Sequence, residues 1–135
     1  MKTWSEPSAR FVLVKKIQKG YLMNVKKYEN IEIMKTPHGV DARNLYNTKD
    51  AMITIMTLQP NEQLKRHITP VDVAFYVLEG RGIVEIGEEK QEVAAGTLVE
   101  SPKDIVHCWY NQGAEPVRFM VIKAPKPTEK TIFVD

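Results

Sequence analysis

From Asp50 onward, short runs rich in Val, Ile, Thr, Phe and Tyr alternate with turn residues, and no amphipathic helix intervenes. The runs predict strands near 51–58, 65–68, 73–79, 82–86, 89–94, 97–101, 106–111 and 117–123. Between them stand breaks with turn chemistry: Pro60-Asn61, Thr69-Pro70, Gly80-Arg81-Gly82, Gly87, Gly96, Pro102-Lys103-Asp104 and Asn111-Gln112-Gly113. Eight short strands at this spacing predict an all-β sandwich or closed barrel. Upstream, the turn Thr36-Pro37-His38-Gly39 precedes a further strand from Val40 to Leu45. The first 22 residues read differently. Apolar positions 11, 14, 17 and 21 fit a helical stripe, whereas Val12 and Val14 favour a strand, so Phe11–Ile17 suits either. The pattern therefore divides the chain into an N-terminal extension (1–22), a compact domain (23–124) and a tail (125–135). The tail is loosened by Pro125 and Pro127 and ends in the apolar Thr131-Ile132-Phe133-Val134.

A chain of 135 residues accommodates one domain, and 43% hydrophobic with 27% charged residues is ordinary globular usage, which argues against disorder. The formal net charge of +2 lacks the basic excess that phosphate backbones demand, so nucleic acid is not an expected partner. Five of the basic residues lie in the first 22, against the single acid Glu6, so the extension is basic and the rest slightly acidic. No apolar run approaches the roughly 20 residues that span a bilayer, and Phe11–Val14 is too short for a signal-peptide core. With Cys108 as its one cysteine the chain forms no intrachain disulfide, and a reduced, cytoplasmic setting is expected.

Two spacings carry more than fold class. The first is Asn61-x5-His67-x-Thr69-x3-Val73-x6-Gly80; the second is Gly96-x5-Pro102-x-Asp104-x2-His107-x3-Asn111, with fifteen residues between them. Together they resemble the two motifs of the cupin family, G-x5-H-x-H-x3-4-E-x6-G and G-x5-P-x-G-x2-H-x3-N. The second keeps four of its five positions. The resemblance covers about half of the chain and implies a double-stranded β-helix, the jelly-roll barrel of that family. Two family glycines are replaced by Asn61 and Asp104, the side chains that best tolerate positive φ, so both turns are expected to survive. The ligand positions depart further. Of the three histidines and one glutamate that hold a metal in the family, His67 and His107 remain, with Thr69 and Val73 in the other two places.

Strand alternation puts Thr69 on the face of His67, groups Val73 with Phe75 and Val77, and groups His107 with Trp109. The lumen so implied is apolar, with Thr69, Val73, Phe75 and Trp109 as candidates for contact with a small-molecule ligand. The resemblance implies a divalent transition metal on His67 and His107, with iron, copper, nickel and zinc all accepting imidazole. Two imidazoles alone hold an ion poorly, and His38, in a loop that can reach a barrel mouth, is the candidate third ligand. Such a centre favours anionic, chelating substrates such as enolates or carboxylates. Cys108 should point away from the lumen as a packed thiol, Asp72 sits one position off the missing glutamate, and Met52, Met56 and Met120 follow strand spacing as core residues.

Two classes of function remain open. One is a metal-dependent enzyme, an oxygenase or isomerase acting on a small oxygenated compound. The other is a non-catalytic module that holds a small ligand or a metal. A metal-free sugar-nucleotide or sugar-phosphate isomerase is a weaker third. A homodimer is expected, because the extension and the Ile132-Phe133-Val134 tail offer unpaired strand-like segments.

Overall fold

The computed structural model describes residues 19–135. The choice between helix and strand over Phe11–Ile17 lies outside the described residues. One turn of 3-10 helix, Tyr28–Asn30, precedes ten strands. The first five are β1 (Asp41–Asn47), β2 (Met52–Leu58), β3 (His67–Ile68), β4 (Val73–Glu79) and β5 (Arg81–Ile86). The others are β6 (Glu89–Ala94), β7 (Leu98–Ser101), β8 (Val106–Tyr110), β9 (Val117–Lys123) and β10 (Ile132–Phe133). They form two five-stranded antiparallel sheets, ordered β1-β2-β9-β4-β7 and β10-β3-β8-β5-β6. This is the double-stranded β-helix that the resemblance of the two motifs implied, and one of the all-β forms that the strand spacing allowed.

The sheets face each other because each carries an apolar row at every second position. On β4, Val73, Phe75 and Val77 are buried while Tyr76 points outward. Val117, Phe119 and Val121 do the same on β9. One end of the space between the sheets is filled solid. Trp109 and Phe119 stack with ring centroids 4.2 Å apart, and Phe75 meets both edge-on at 5.5 and 6.1 Å. Leu58, Val77 and Val117 complete this core, which is closely packed enough that losing one of its aromatic rings would cost about 3–5 kcal/mol.

The turns hold the two motifs in place. Asn61 and Asp104 both have positive φ, at 70° and 66°, so both take the backbone form that their family glycines would. Asn111 is buried and ties three segments: its Nδ2 donates to the carbonyls of Leu58 and Glu115, and its Oδ1 accepts from the Gly113 N–H. Gly80 and Gly96, the facing ends of the motifs, are linked through the Ala95 N–H to the Gly80 carbonyl and the Gly96 N–H to the Val77 carbonyl.

The tail departs from expectation. Ile132 and Phe133 are not an unpaired segment; they pair with Ile68 and His67 as β10, the edge strand of its sheet. The prolines break the chain only as far as Pro127, and beyond them a β-branched residue and an aromatic find an open sheet edge in the same molecule. Arg66 fastens this end, donating from its guanidinium to the Asp135 backbone carbonyl at 2.6 Å and to buried Glu85 at 3.2 Å. Tyr110 supplies the second donor to Glu85.

Gly80 offers the sharpest test of the packing. Its φ is +80°, and a Cβ there would lie 2.1 Å from the Pro116 carbonyl oxygen, whereas Gly96, at φ +87°, has open space around it. Both substitutions carry the left-handed backbone cost of about 1 kcal/mol, and only one adds a collision with backbone. Gly80→Ala is therefore expected to lower the unfolding free energy by about 3 kcal/mol or more, and Gly96→Ala by about 1 kcal/mol, in urea melts. Equal losses would contradict the close approach of Gly80 to Pro116.

Candidate functional site

At the end of the barrel away from the Trp109–Phe119 stack, the two sheets enclose a cavity of about 380 Å³. His67 and His107 reach it from β3 and β8, where they are direct cross-strand partners. His38 comes from the turn ahead of β1, its ring centroid 4.7 Å from that of His67. All three histidines of the described residues line one wall.

Their hydrogen bonds assign the protons. The Lys65 backbone N–H donates to His38 Nδ1 at 2.9 Å, so neutral His38 carries its proton on Nε2. His67 Nδ1 lies 2.7 Å from the Lys65 carbonyl, which only accepts, so His67 Nδ1 holds the proton and Nε2 a lone pair. That lone pair faces His107 Nε2 at 3.0 Å. His107 Nδ1 is 2.6 Å from Ser101 Oγ, and its Nε2 is 3.1 Å from Thr69 Oγ1. Hydroxyls both donate and accept, so His107 can hold its proton on either nitrogen. With Nε2–H it donates to His67; with Nδ1–H it donates to Ser101 and its own Nε2 lone pair is freed.

Burial keeps the rings neutral. Desolvation, followed by the charges of His67 and Lys123, pushes His107 down to about 3 and His38 down to about 4. His67 is lowered by the same burial, which the Lys65 carbonyl partly opposes. Lys123 is the cation in these shifts. It ends β9 two residues beyond Val121, so alternation carries it to the cavity wall, where burial lowers its own pKa.

The candidates named from sequence separate into groups. His38, His67, His107 and Phe75 line the cavity. Thr69 is buried behind the wall and reaches it only through His107. Val73 and Trp109 face inward but pack in the core, off the cavity wall; for Trp109 the reason is depth, which alternation does not fix, whereas Val73 stands level with Lys123 and Ser101. Met52, read as core, lines the cavity instead, and Met56 lines it while also packing against the core as expected. Cys108 is a buried thiol whose Sγ donates to the Leu64 carbonyl at 3.2 Å. Asp72 accepts from the Lys103 N–H and is not at the site. Sequence reasoning passed over Ser101, Lys123 and Phe133. Ser101 precedes Pro102 of the second motif, and Lys123 continues the inward face of β9, so each had a positional signal.

Among the described residues no three His, Cys, Asp and Glu side chains are grouped to hold a metal ion. The fit is instead that of a two-imidazole seat. His67 and His107 bring their Nε2 atoms as close as two ligands of one ion come, and each has an oxygen to receive its Nδ1 proton, as metal-bound histidines do. His38 has spent its Nδ1 lone pair on Lys65, and turns an N–H rather than a lone pair to the cavity.

The sequence pattern of the Cupin domain family matches residues 54–123, a stretch that contains both motifs, most of β2, β3 to β9 and both imidazoles of the seat. An uncharacterized protein of Methanocaldococcus jannaschii is 29% identical, the match covering 70% of this chain and 89% of that one. Among solved structures, the polyketide cyclase RemF of Streptomyces resistomycificus superposes with a TM-score of 0.74 at 18% identity, over 84% of this chain and 87% of its own. An RmlC-like cupin family protein with a double-stranded β-helix fold, also from M. jannaschii, gives 0.62 at 20% identity, over 76% and 94%. At these identities the likeness is one of fold.

Neutral buried histidines impose a direction on acid stability. An imidazole whose folded pKa lies below its unfolded value of 6.5 stabilises the protein fully above that pH, and the contribution drains as pH falls toward the folded value. His107 is 2% exposed, and each pH unit below about 6.5 should remove about 1.4 kcal/mol through it alone. Urea unfolding of metal-free protein should thus show a loss of about 2 kcal/mol or more between about pH 6.5 and about pH 5. His107→Gln should flatten that slope. A wild-type stability unchanged over this interval would contradict the buried, neutral site.

Proposed function

We propose that this chain, which belongs to the cupin family, binds a small oxygenated organic molecule in its lumen, beside a divalent transition metal held by His67 and His107. The cupin fold includes enzymes and metal-binding proteins. The observation that carries the reading is the meeting of the two imidazoles: Nε2 atoms 3.0 Å apart, at the wall of a 380 Å³ cavity, each with its far nitrogen anchored by an oxygen. An ion on this seat acts as a Lewis acid toward a ligand oxygen. Iron, copper, nickel and zinc remain equivalent on the donor set.

The chain's own residues do the rest. The Lys65 carbonyl holds His67 with its lone pair toward the cavity, and Ser101 lets His107 move its proton to Nδ1 so that a second lone pair becomes free. Phe75, Met52 and Met56 provide the apolar walls that exclude water from the bound molecule. His38 offers Nε2–H as a donor to a ligand oxygen.

Between an enzyme and a holder, one observation favours the holder. The seat supplies two protein ligands, and among the described residues no carboxylate lines the cavity, which leaves the imidazoles as the candidate general bases beside the metal seat. Catalysis as an oxygenase or isomerase would run with His67 or His107 as the proton acceptor.

Metal uptake tests the seat. Purified untagged protein, stripped and titrated with zinc or nickel, is expected to bind one ion per chain. His67→Ala and His107→Ala should each weaken binding by about 100-fold or more, Ser101→Ala by about tenfold, and His38→Ala by no more than a few-fold. Equal uptake by wild type and the two imidazole variants would refute the seat. A loss with His38→Ala as large as with His67→Ala would restore a three-histidine centre.

A further inference from the structure

The cavity that holds the imidazoles is unbalanced in charge. Lys123 and Lys130 both contribute to its wall, three neutral histidines stand with them, and among the described residues no Asp or Glu side chain lines it. Lys130 is exposed at the rim, but Lys123 is half-buried. Its strand neighbours across the sheet are Met52 and Val73, neither of which answers a charge. None of the ion pairs among the described residues includes it. A buried ammonium costs free energy unless an anion or strong acceptors meet it. A lysine that served only to cover the barrel end would snorkel its ammonium to water; this one is placed where its field bears on all three imidazoles.

We infer that Lys123 is the anchor for the carboxylate of a small organic acid, and that the cavity selects anionic ligands over neutral ones of the same shape. The inference rests on the reading of this cavity as a ligand site, and not on the metal. Two donors converge on the anion, the Lys123 ammonium from β9 and the His38 Nε2–H from the turn before β1, while Met52, Met56 and Phe75 take the carbon skeleton. A charge-assisted bond to a carboxylate in so apolar a surrounding is strong, and an amide of equal size cannot make it. The backbone bond from Lys65 N–H makes His38 an obligate donor toward the ligand, the polarity that an anion requires.

The test is calorimetric titration of the full chain with acetate, pyruvate and acetoacetate, and with acetamide, pyruvamide and acetoacetamide, after stripping with EDTA and again after zinc loading. In stripped wild-type protein at least one acid should bind about tenfold or more tighter than its amide, the discrimination expected of one charge-assisted hydrogen bond. Lys123→Met, which keeps the length and apolar stem, should reduce that preference to within about twofold, and Lys123→Arg should keep it. Thermal melts establish that both variants are folded. Binding of none of the acids, equal binding of acids and amides, or a preference untouched by Lys123→Met would each overturn the anchor. A preference for acids in a protein that takes up no metal would uphold it and remove the metal seat; metal uptake lost with His67→Ala, without a preference for acids, would do the reverse.

Discussion

Two neutral imidazoles that meet Nε2 to Nε2 have room for one proton between them, and burial forbids a second. That constraint organises this end of the barrel. His67 and His107 are cross-strand partners, so the sheet itself brings the rings together. One residue, Lys65, then sets the protons on both sides of His67: its N–H takes the lone pair of His38, and its carbonyl takes the proton of His67. What remains is a lone pair on His67, directed at His107, and an N–H on His38, directed at the cavity. The backbone, which cannot change its donors and acceptors, thus decides which histidine keeps a lone pair on Nε2 and which carries its proton there. Ser101 and Thr69 supply the adjustable contacts, hydroxyls at Nδ1 and Nε2 that serve either tautomer of His107.

The barrel divides its interior between two tasks. At one end the stacked Trp109 and Phe119, with Phe75 against them, fill the space between the sheets. At the other, β10 and the turn around His38 close over a cavity that the core does not reach. Phe75 belongs to both, and is the floor on which the site rests: its ring meets Trp109 below and His107 above, with centroids 5.5 and 5.2 Å apart. A rigid stack beneath the imidazoles is what keeps their separation defined in the absence of further ligands. The fold supports this arrangement without dictating its chemistry, since proteins of the same architecture at 15–20% identity need share no activity.

Much of the fold was legible because period-two alternation and turn chemistry are local. The strands from β2 to β9 fall close to where Val, Ile and aromatic residues cluster, and Asn61 and Asp104 adopt the positive φ that their side chains tolerate. His67 and His107 were legible for a different reason, their fixed offsets from turn residues. Depth was not legible. Alternation states that Trp109 faces inward, but it does not state how far along the barrel axis it sits, and Trp109 lies in the core beyond Phe75. Met52 erred in the opposite sense, since it pairs with Lys123 at the cavity end of β2, whereas Met56, opposite Phe119, packs against the core as well as lining the cavity. Long-range closure was also invisible. The pairing of Phe133 with His67 joins the tail to the middle of the compact domain, and a two-residue strand after a proline-rich stretch gives no periodicity to detect. Lys123 carried a positional signal on β9, but a lysine at the end of a strand ordinarily reads as solvent-facing.

The distribution of protons over the three histidines is the most direct measure of the account, because it follows from burial, from Lys65 and from the His67–His107 contact together. Ring-nitrogen NMR of metal-free protein labelled at histidine, at about pH 7, reports each tautomer separately. The account predicts three neutral rings, with His67 protonated at Nδ1 and His38 at Nε2. A charged imidazolium at His67 or His107, or His67 with its proton on Nε2, would contradict it.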